Sequence, residues 1–265
     1  MSTRSLWIGA SGMEAQQRST ENIANNMANV NTNGFKSGNV QFQDMFYETL
    51  RASGAATQGS DGPVGIQLGT GVRVASVSKT FTQGPLQNSS SDLDVAIEGE
   101  GFFEVTMPNG TTAYTRNGNF HRNTDGTVVT VEGYEVTNFP TIDPTALSIN
   151  IVPDGTVTSF VKTAGAAPVN TVNGQIQLVR FPNPEGLHAL GRNMYSATET
   201  SGDATSAAPG DAGFGSIVQR SLEGSNVEIV KEMVNMISSQ RAYELNSKTI
   251  KTADTMMQQV AALKN

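Results

Sequence analysis

Apolar side chains recur at helical spacing at both ends of this 265-residue chain and at strand spacing through its middle. From about residue 5 to residue 30 they fall at Leu6, Met13, Ile23, Met27 and Val30, with gaps at Gly9, Gln16 and Thr20. That heptad-like spacing predicts an N-terminal helix over residues 1–33. At the other end Val227, Val230, Val234, Ile237, Leu245, Met256 and Leu263 follow a 3.6-residue period for roughly forty residues. Ser225 and Glu228 stand at the S-x-x-E spacing of a capping box, so this helix is expected to open there, within a segment 223–265. Glu244 and Lys248 are placed as an i,i+4 pair on it. At 1.5 Å per residue such a helix runs to about 55 Å, too long for a small neighbouring domain to bury.

The middle, 71–222, is expected to be β structure. Turn dipeptides stand at Asn109-Gly110, Asn117-Gly118, Asp125-Gly126 and Asp154-Gly155, which suit type I′ hairpins. Between them lie strand-like runs such as "FFEVTM", "AYTR", "NFHR" and "TVVTVEGYEV". Short, regularly spaced strands predict an antiparallel barrel or sandwich. Two low-complexity joints flank this region, at residues 51–65 and 197–216. The fold class is therefore α+β: long terminal helices, an extended linker over 34–70, and a central antiparallel all-β domain.

Composition sharpens the picture at the ends. Six of the twelve residues from Asn22 to Asn33 are asparagine, a middling helix former that prefers caps and turns. Neutral amides beside an apolar stripe predict a face that is buried against polar partners. The terminal stripes would pair with each other or with neighbouring copies, as coiled-coil seams do. The middle segment 37–222 carries nine basic against seventeen acidic residues. An acidic middle without a basic patch argues against nucleic acid and against an anionic membrane surface. No apolar run approaches the ~20 residues of a membrane span. The start, "MSTRSLWIGASGMEAQQRS", has no continuous apolar core, so a cleaved secretory signal is not expected.

Candidate chemistry is sparse. The chain has no cysteine, and its two histidines, His121 and His188, lie far apart. The densest acidic cluster is Asp92, Asp94, Glu98, Glu100 and Glu104. Two of these carboxylates could form a glycosidase pair or a calcium site, but a solvated strand and turn accounts for them with less. No Walker loop, G-x-S-x-G or HExxH is present. Neither an enzyme, nor a cofactor, nor a metal is expected.

Two long motifs carry a resemblance. "NIANNMANVNTNGFK" (22–36) and "LEGSNVEIVKEMVNMISSQRAYELNSKTIKTADTMMQQ" (222–259) resemble the terminal motifs of the bacterial flagellar rod and hook axial proteins. Residues 69–105 and 113–120 are similar to the core of that family. The length suits its distal rod members, since hook members carry an extra outer domain. Residues 46–65, with Phe46, Tyr47, Gly54, Gly62 and Pro63, lie where distal rod members carry an insertion thought to stiffen the rod. The resemblance implies a helical homopolymer, its inner layer built from the terminal helices and packed through the stripe residues named above. It implies as partners proximal rod subunits, hook or hook-junction proteins, the periplasmic and outer-membrane rings, and the flagellar type III export apparatus. The implied location is the periplasm-spanning rod. Asn25, Asn29, Asn31, Gly34, Phe35, Lys36, Ser225 and Asn226 are the motif positions expected to matter. Gly34 is expected to end the first helix where a Cβ would clash, and Phe35 to anchor the following joint. The alternatives are a proximal rod or hook subunit, or a secreted β-rich carbohydrate-active or adhesive protein acting through Asp92 and Asp94.

Overall fold

The computed structural model describes residues 2–51, 56–57, 60–61, 65–161 and 169–263. Gly54, Gly62 and Pro63 lie outside them. The chain is α+β, with an N-terminal helix, a β-rich central region and a C-terminal helix. It forms two compact units: Met1–Ala28 with Gly38–Lys79 and Glu228–Asn265, and Asn29–Ser37 with Thr80–Val227. The first unit thus takes in most of the segment expected to be an extended linker. There the strand Gly38–Asp44 pairs antiparallel with Val72–Lys79, matching Val40 to Val77 and Phe42 to Val74 around a bulge. Apolar residues at alternate positions made that pairing more favourable than an extended joint. Tyr47–Arg51 and Ile66–Gly69 extend the ribbon as a second antiparallel pair.

Helix α1 spans Ser2–Ala28 and helix α2 spans Ile229–Leu263. Helix α1 ends before residue 33 because Asn29–Gly34 are poor helix formers. Thr32 instead turns back on Asn29, its N–H donating to the Asn29 carbonyl at 3.2 Å. The expected capping box does not form. Ser225 Oγ accepts from the Val227 N–H at 3.3 Å, a local turn, and the first α2 bond runs from the Glu232 N–H to the Glu228 carbonyl. Glu244 lies 3.7 Å from Arg241 rather than pairing with Lys248.

In the second unit every strand pair among the described residues is antiparallel. A seven-stranded sheet runs in the order Phe120–Arg122, Val128–Thr130, Glu135–Val136, Phe103–Thr106, Thr112–Thr115, Met194–Ser196, His188–Gly191. A three-stranded sheet holds Ala146–Ile151, Thr156–Val161 and Val169–Gln175. The dipeptide Phe102-Phe103 explains how two cores meet here. Successive residues point to opposite faces of extended chain. Phe103 therefore joins Val105, Phe120 and Ile151 in one cluster, while Phe102 joins Tyr114, Phe181 and Tyr195 in another.

The hairpin turns differ in type from the expectation. Gly110, Gly126 and Gly155 have positive φ, but Asn109, Asp125 and Asp154 do not. Each glycine N–H donates three residues back, to Met107, Asn123 and Val152, as in a type I turn closed by a glycine bulge. Positive φ at both central residues falls instead on Arg192 and Asn193, between His188–Gly191 and Met194–Ser196. Asn117-Gly118 is no hairpin: Gly118 keeps negative φ, and a Cβ there would collide with the Val95 carbonyl.

Candidate assembly site

Within the first unit α1 and α2 run antiparallel along a seam of small and amide side chains. A Cβ on Gly9 would meet Ile250 Cγ1 at 2.7 Å, and one on Gly12 would meet Asn246 Nδ2 at 2.7 Å. Ser239 Oγ donates to Gln16 Oε1 at 2.8 Å, and Asn26 Nδ2 donates to Glu232 Oε1 at 3.1 Å. Ala15, Ser239 and Ala253 are buried. At about 100° per residue, Ser239, Asn246, Ile250 and Ala253 share one side of α2. Val230, Val234, Ile237, Leu245, Met256 and Leu263 fall on the other. That stripe is uncovered: Val230 is 76% exposed, Val234 60% and Leu245 66%. Apart from Ile250, which packs against Gly9, the α2 residues of the seam are small or amide-bearing, while these large apolar ones point away from the chain's own helix pair. Such a contiguous exposed apolar face marks an interaction surface.

The other stripe residues divide differently. Ile23 and Val227 are buried within their own chain. Leu6, Met13 and Met27 are half-buried on α1, and Val30 is half-buried in the turn that follows it. Phe46 is 93% exposed, and Tyr47 stands exposed beside it.

The asparagines have specific partners. Asn26 Oδ1 accepts from the Gly38 N–H at 2.8 Å, while Asn22 and Asn26 both donate to the Gly38 carbonyl at 2.7 and 2.9 Å. Amides can satisfy a buried backbone donor and acceptor together, which a carboxylate or an ammonium cannot. Asn25 and Asn31 are exposed, and Asn29 accepts from the Thr32 hydroxyl at 3.2 Å.

The two motifs meet in the second unit. Lys36 Nζ donates to Glu223 Oε1 at 2.6 Å and to the Thr82 carbonyl at 2.7 Å, with both charged side chains fully buried. Arg116 Nη1 approaches Glu223 Oε2 at 3.5 Å, its Nη2 donates to the Gly99 carbonyl at 2.7 Å, and its guanidinium lies over the Phe102 ring. Burial pushes the Lys36 ammonium below the usual lysine range, against the upward pull of Glu223. Gly34 has φ 71° and donates to the Glu223 carbonyl at 2.7 Å. A Cβ there would meet Asn117 N at 2.7 Å, so the expected clash is real, but the glycine does not cap α1, which ends six positions earlier. Phe35 is buried beside it. Asn226 accepts from the Ser37 N–H at 2.7 Å and donates to the Thr80 carbonyl at 2.8 Å. One side chain thereby ties three passages of the chain together. Arg116 and Glu223 were not singled out from the sequence; the available signal was a lone charge inside otherwise uncharged strand-like runs.

The acidic cluster is dispersed among separate partners. Asp92 pairs with Arg220 at 2.6 Å, Asp94 accepts from Ser89, Glu100 pairs with Arg180 at 2.8 Å, and Glu104 accepts from Asn138 at 2.7 Å. Glu98, His121 and His188 are exposed strand residues.

Three family models match the chain: "Flagella basal body rod protein" over residues 6–36, "Flagellar hook protein FlgE/F/G D1 domain" over 96–159, and "Flagellar basal body rod FlgEFG protein C-terminal" over 218–263. The chain is 46% identical over 265 residues to the flagellar basal-body rod protein FlgG of Caulobacter vibrioides, covering 99% of this chain and 100% of that one. The chain belongs to the flagellar basal-body rod protein family. It is also 43% identical over 260 residues to the FlgG protein of Buchnera aphidicola from Schizaphis graminum, covering 98% and 99% of the two chains. Similarity to the FlgF rod protein of Caulobacter vibrioides is lower, 36% over 243 residues. This membership makes the chain a structural component of the flagellar basal body rather than an enzyme. The hook and carbohydrate-active alternatives are not favoured.

Proposed function

We propose that copies of this chain polymerise into the helical, tubular distal rod and transmit motor torque through it to the hook. The observation that carries this reading is the uncovered stripe Val230, Val234, Ile237, Leu245, Met256 and Leu263, which faces away from the chain's own helix seam. Burying a large aliphatic side chain contributes about 1.5–3 kcal/mol. Six such largely exposed ones therefore offer on the order of 5–10 kcal/mol per copy, enough to hold a neighbour. In this reading the terminal helices form a coiled-coil inner layer and the β-rich region faces outward. The greater similarity to FlgG than to FlgF relatives supports the distal position. Proximal rod subunits and hook or hook-junction proteins would meet the two ends of the tube, the rings would surround it, and the type III apparatus would export the subunits.

Placing Val234→Asp together with Leu245→Asp on the stripe tests the proposal. The double variant is expected to lose polymerisation and motility while the free chain keeps its helix content. Normal polymer yield from that variant would refute it.

A further inference from the structure

The first unit carries a second, polar surface beside the helix seam. A polar pocket of about 290 Å³ opens between α1, α2 and the strand Gly38–Asp44. Amides and hydroxyls make up most of its lining, among them Gln16, Asn22, Asn235 and Ser238, beside Ile23, Val40 and Phe42, and its one charge is Glu232. That carboxylate is half-buried, accepts from the neutral Asn26 amide, and makes no ion pair among the described residues. A half-buried carboxylate that makes no ion pair of its own can still take a cation. Amide and hydroxyl oxygens around it are the acceptors that an ammonium needs. The volume has room for a lysine side chain and several waters at about 30 Å³ each.

The chain carries a fitting group on the opposite side of the same helix. Lys248 is exposed, has no ion-pair partner among the described residues, and at about 100° per residue falls within the outward stripe of α2. Glu232 falls on the seam side. The two groups lie roughly four turns apart and on opposite faces, so one copy cannot bring them together on its own straight helix. Contacts between two different patches on identical subunits propagate and generate helical filaments when they do not close. We infer that the amide-lined pocket around Glu232 receives the Lys248 ammonium of a second copy and sets the register between subunits. This deepens the polymer reading and rests on it.

Charge exchange tests the inference. Glu232→Gln keeps an oxygen acceptor for Asn26 and removes only the charge; it is expected to raise the critical concentration for polymerisation about threefold to tenfold and to flatten its salt dependence. Glu232→Lys and Lys248→Glu should each do more, and their combination should return the value to within about threefold of the unmodified chain. Because the chain has no cysteine, a mixture of Glu232→Cys and Lys248→Cys chains should yield one cross-linked dimer when the polymer is treated with a short bis-maleimide whose reach matches the lysine and glutamate side chains it replaces. Single variants that polymerise like the unmodified chain, or a double exchange no better than either single, would overturn the inference and leave the polymer reading intact. An unmodified chain that forms no polymer would overturn both.

Discussion

The Lys36 ammonium and the Glu223 carboxylate, 187 positions apart in the chain, meet at 2.6 Å with neither side chain exposed. Each belongs to one of the two family-matched terminal segments, so the pair closes the second unit across nearly the whole sequence. Replacing one member of a buried pair strands the other charge, at about 3–5 kcal/mol, whereas replacing both with apolar groups is close to neutral. Lys36→Met should therefore destabilise the second unit by about that amount in denaturant titration. Because Glu223 also faces the buried Arg116 and accepts from the Gly84 N–H, Lys36→Met with Glu223→Leu should cost less than the summed singles without restoring full stability, and a double variant as unstable as that sum would contradict the pairing.

The amide of Asn226 is expected to matter beyond its size. Its side chain holds Ser37, Thr80 and Thr82 at once. Asn226→Ala should cost about 1–3 kcal/mol by leaving backbone groups without partners. Hydrogen exchange should show the faster opening at both Ser37 and Thr80; acceleration at only one would argue against a shared tie.

Glycine substitutions in α1 give a prediction with an informative sign. Helix propensity alone makes Gly→Ala stabilising by up to about 1 kcal/mol in an exposed helix. At Gly12 the added Cβ would press on Asn246, and at Gly9 on Ile250. Gly9→Leu and Gly12→Leu should therefore lower the thermal stability of the helix pair, by about 1–3 kcal/mol. A gain in stability would mean that the seam is not closely packed.

Much of this was legible in the sequence, and the losses have identifiable causes. The two helices and the antiparallel β region followed from periodicity, because a 3.6- or 2-residue period is a local property. What one face of α2 packs against is not local. Small residues at Gly9, Gly12, Ser239 and Ala253 carry no hydrophobic signal, so the stripe alone could not reveal a seam on the opposite side. Arg116 and Glu223 were missed for the same reason: their meaning lies in a long-range meeting. The assignment of residues 34–70 to a linker failed because glycine-rich composition outweighed the alternation that pairs Gly38–Asp44 with Val72–Lys79.

The Tyr195 hydroxyl gives a pH signature. Burial pushes its pKa up to about 12, from 10.0. A raised folded-state value means that its stabilising contribution is complete below pH 10 and is lost as pH rises towards 12. At 1.36 kcal/mol per unit this amounts to about 2–3 kcal/mol. Comparing the unfolding free energy of the unmodified chain with Tyr195→Phe across that window isolates it. The difference should shrink or reverse between pH 10 and 12, and a constant difference would rule out the shift.

The most direct test of assembly through the outward face of α2 needs no substitution. Met233 and Met256 are 50% and 57% exposed in the free chain. Brief peroxide treatment followed by peptide mass spectrometry measures their oxidation before and after polymerisation. Ready oxidation of both in the free chain and protection of both in the polymer is the predicted result. Equal oxidation in the two states would mean that the stripe stays uncovered, and the chain does not assemble through it.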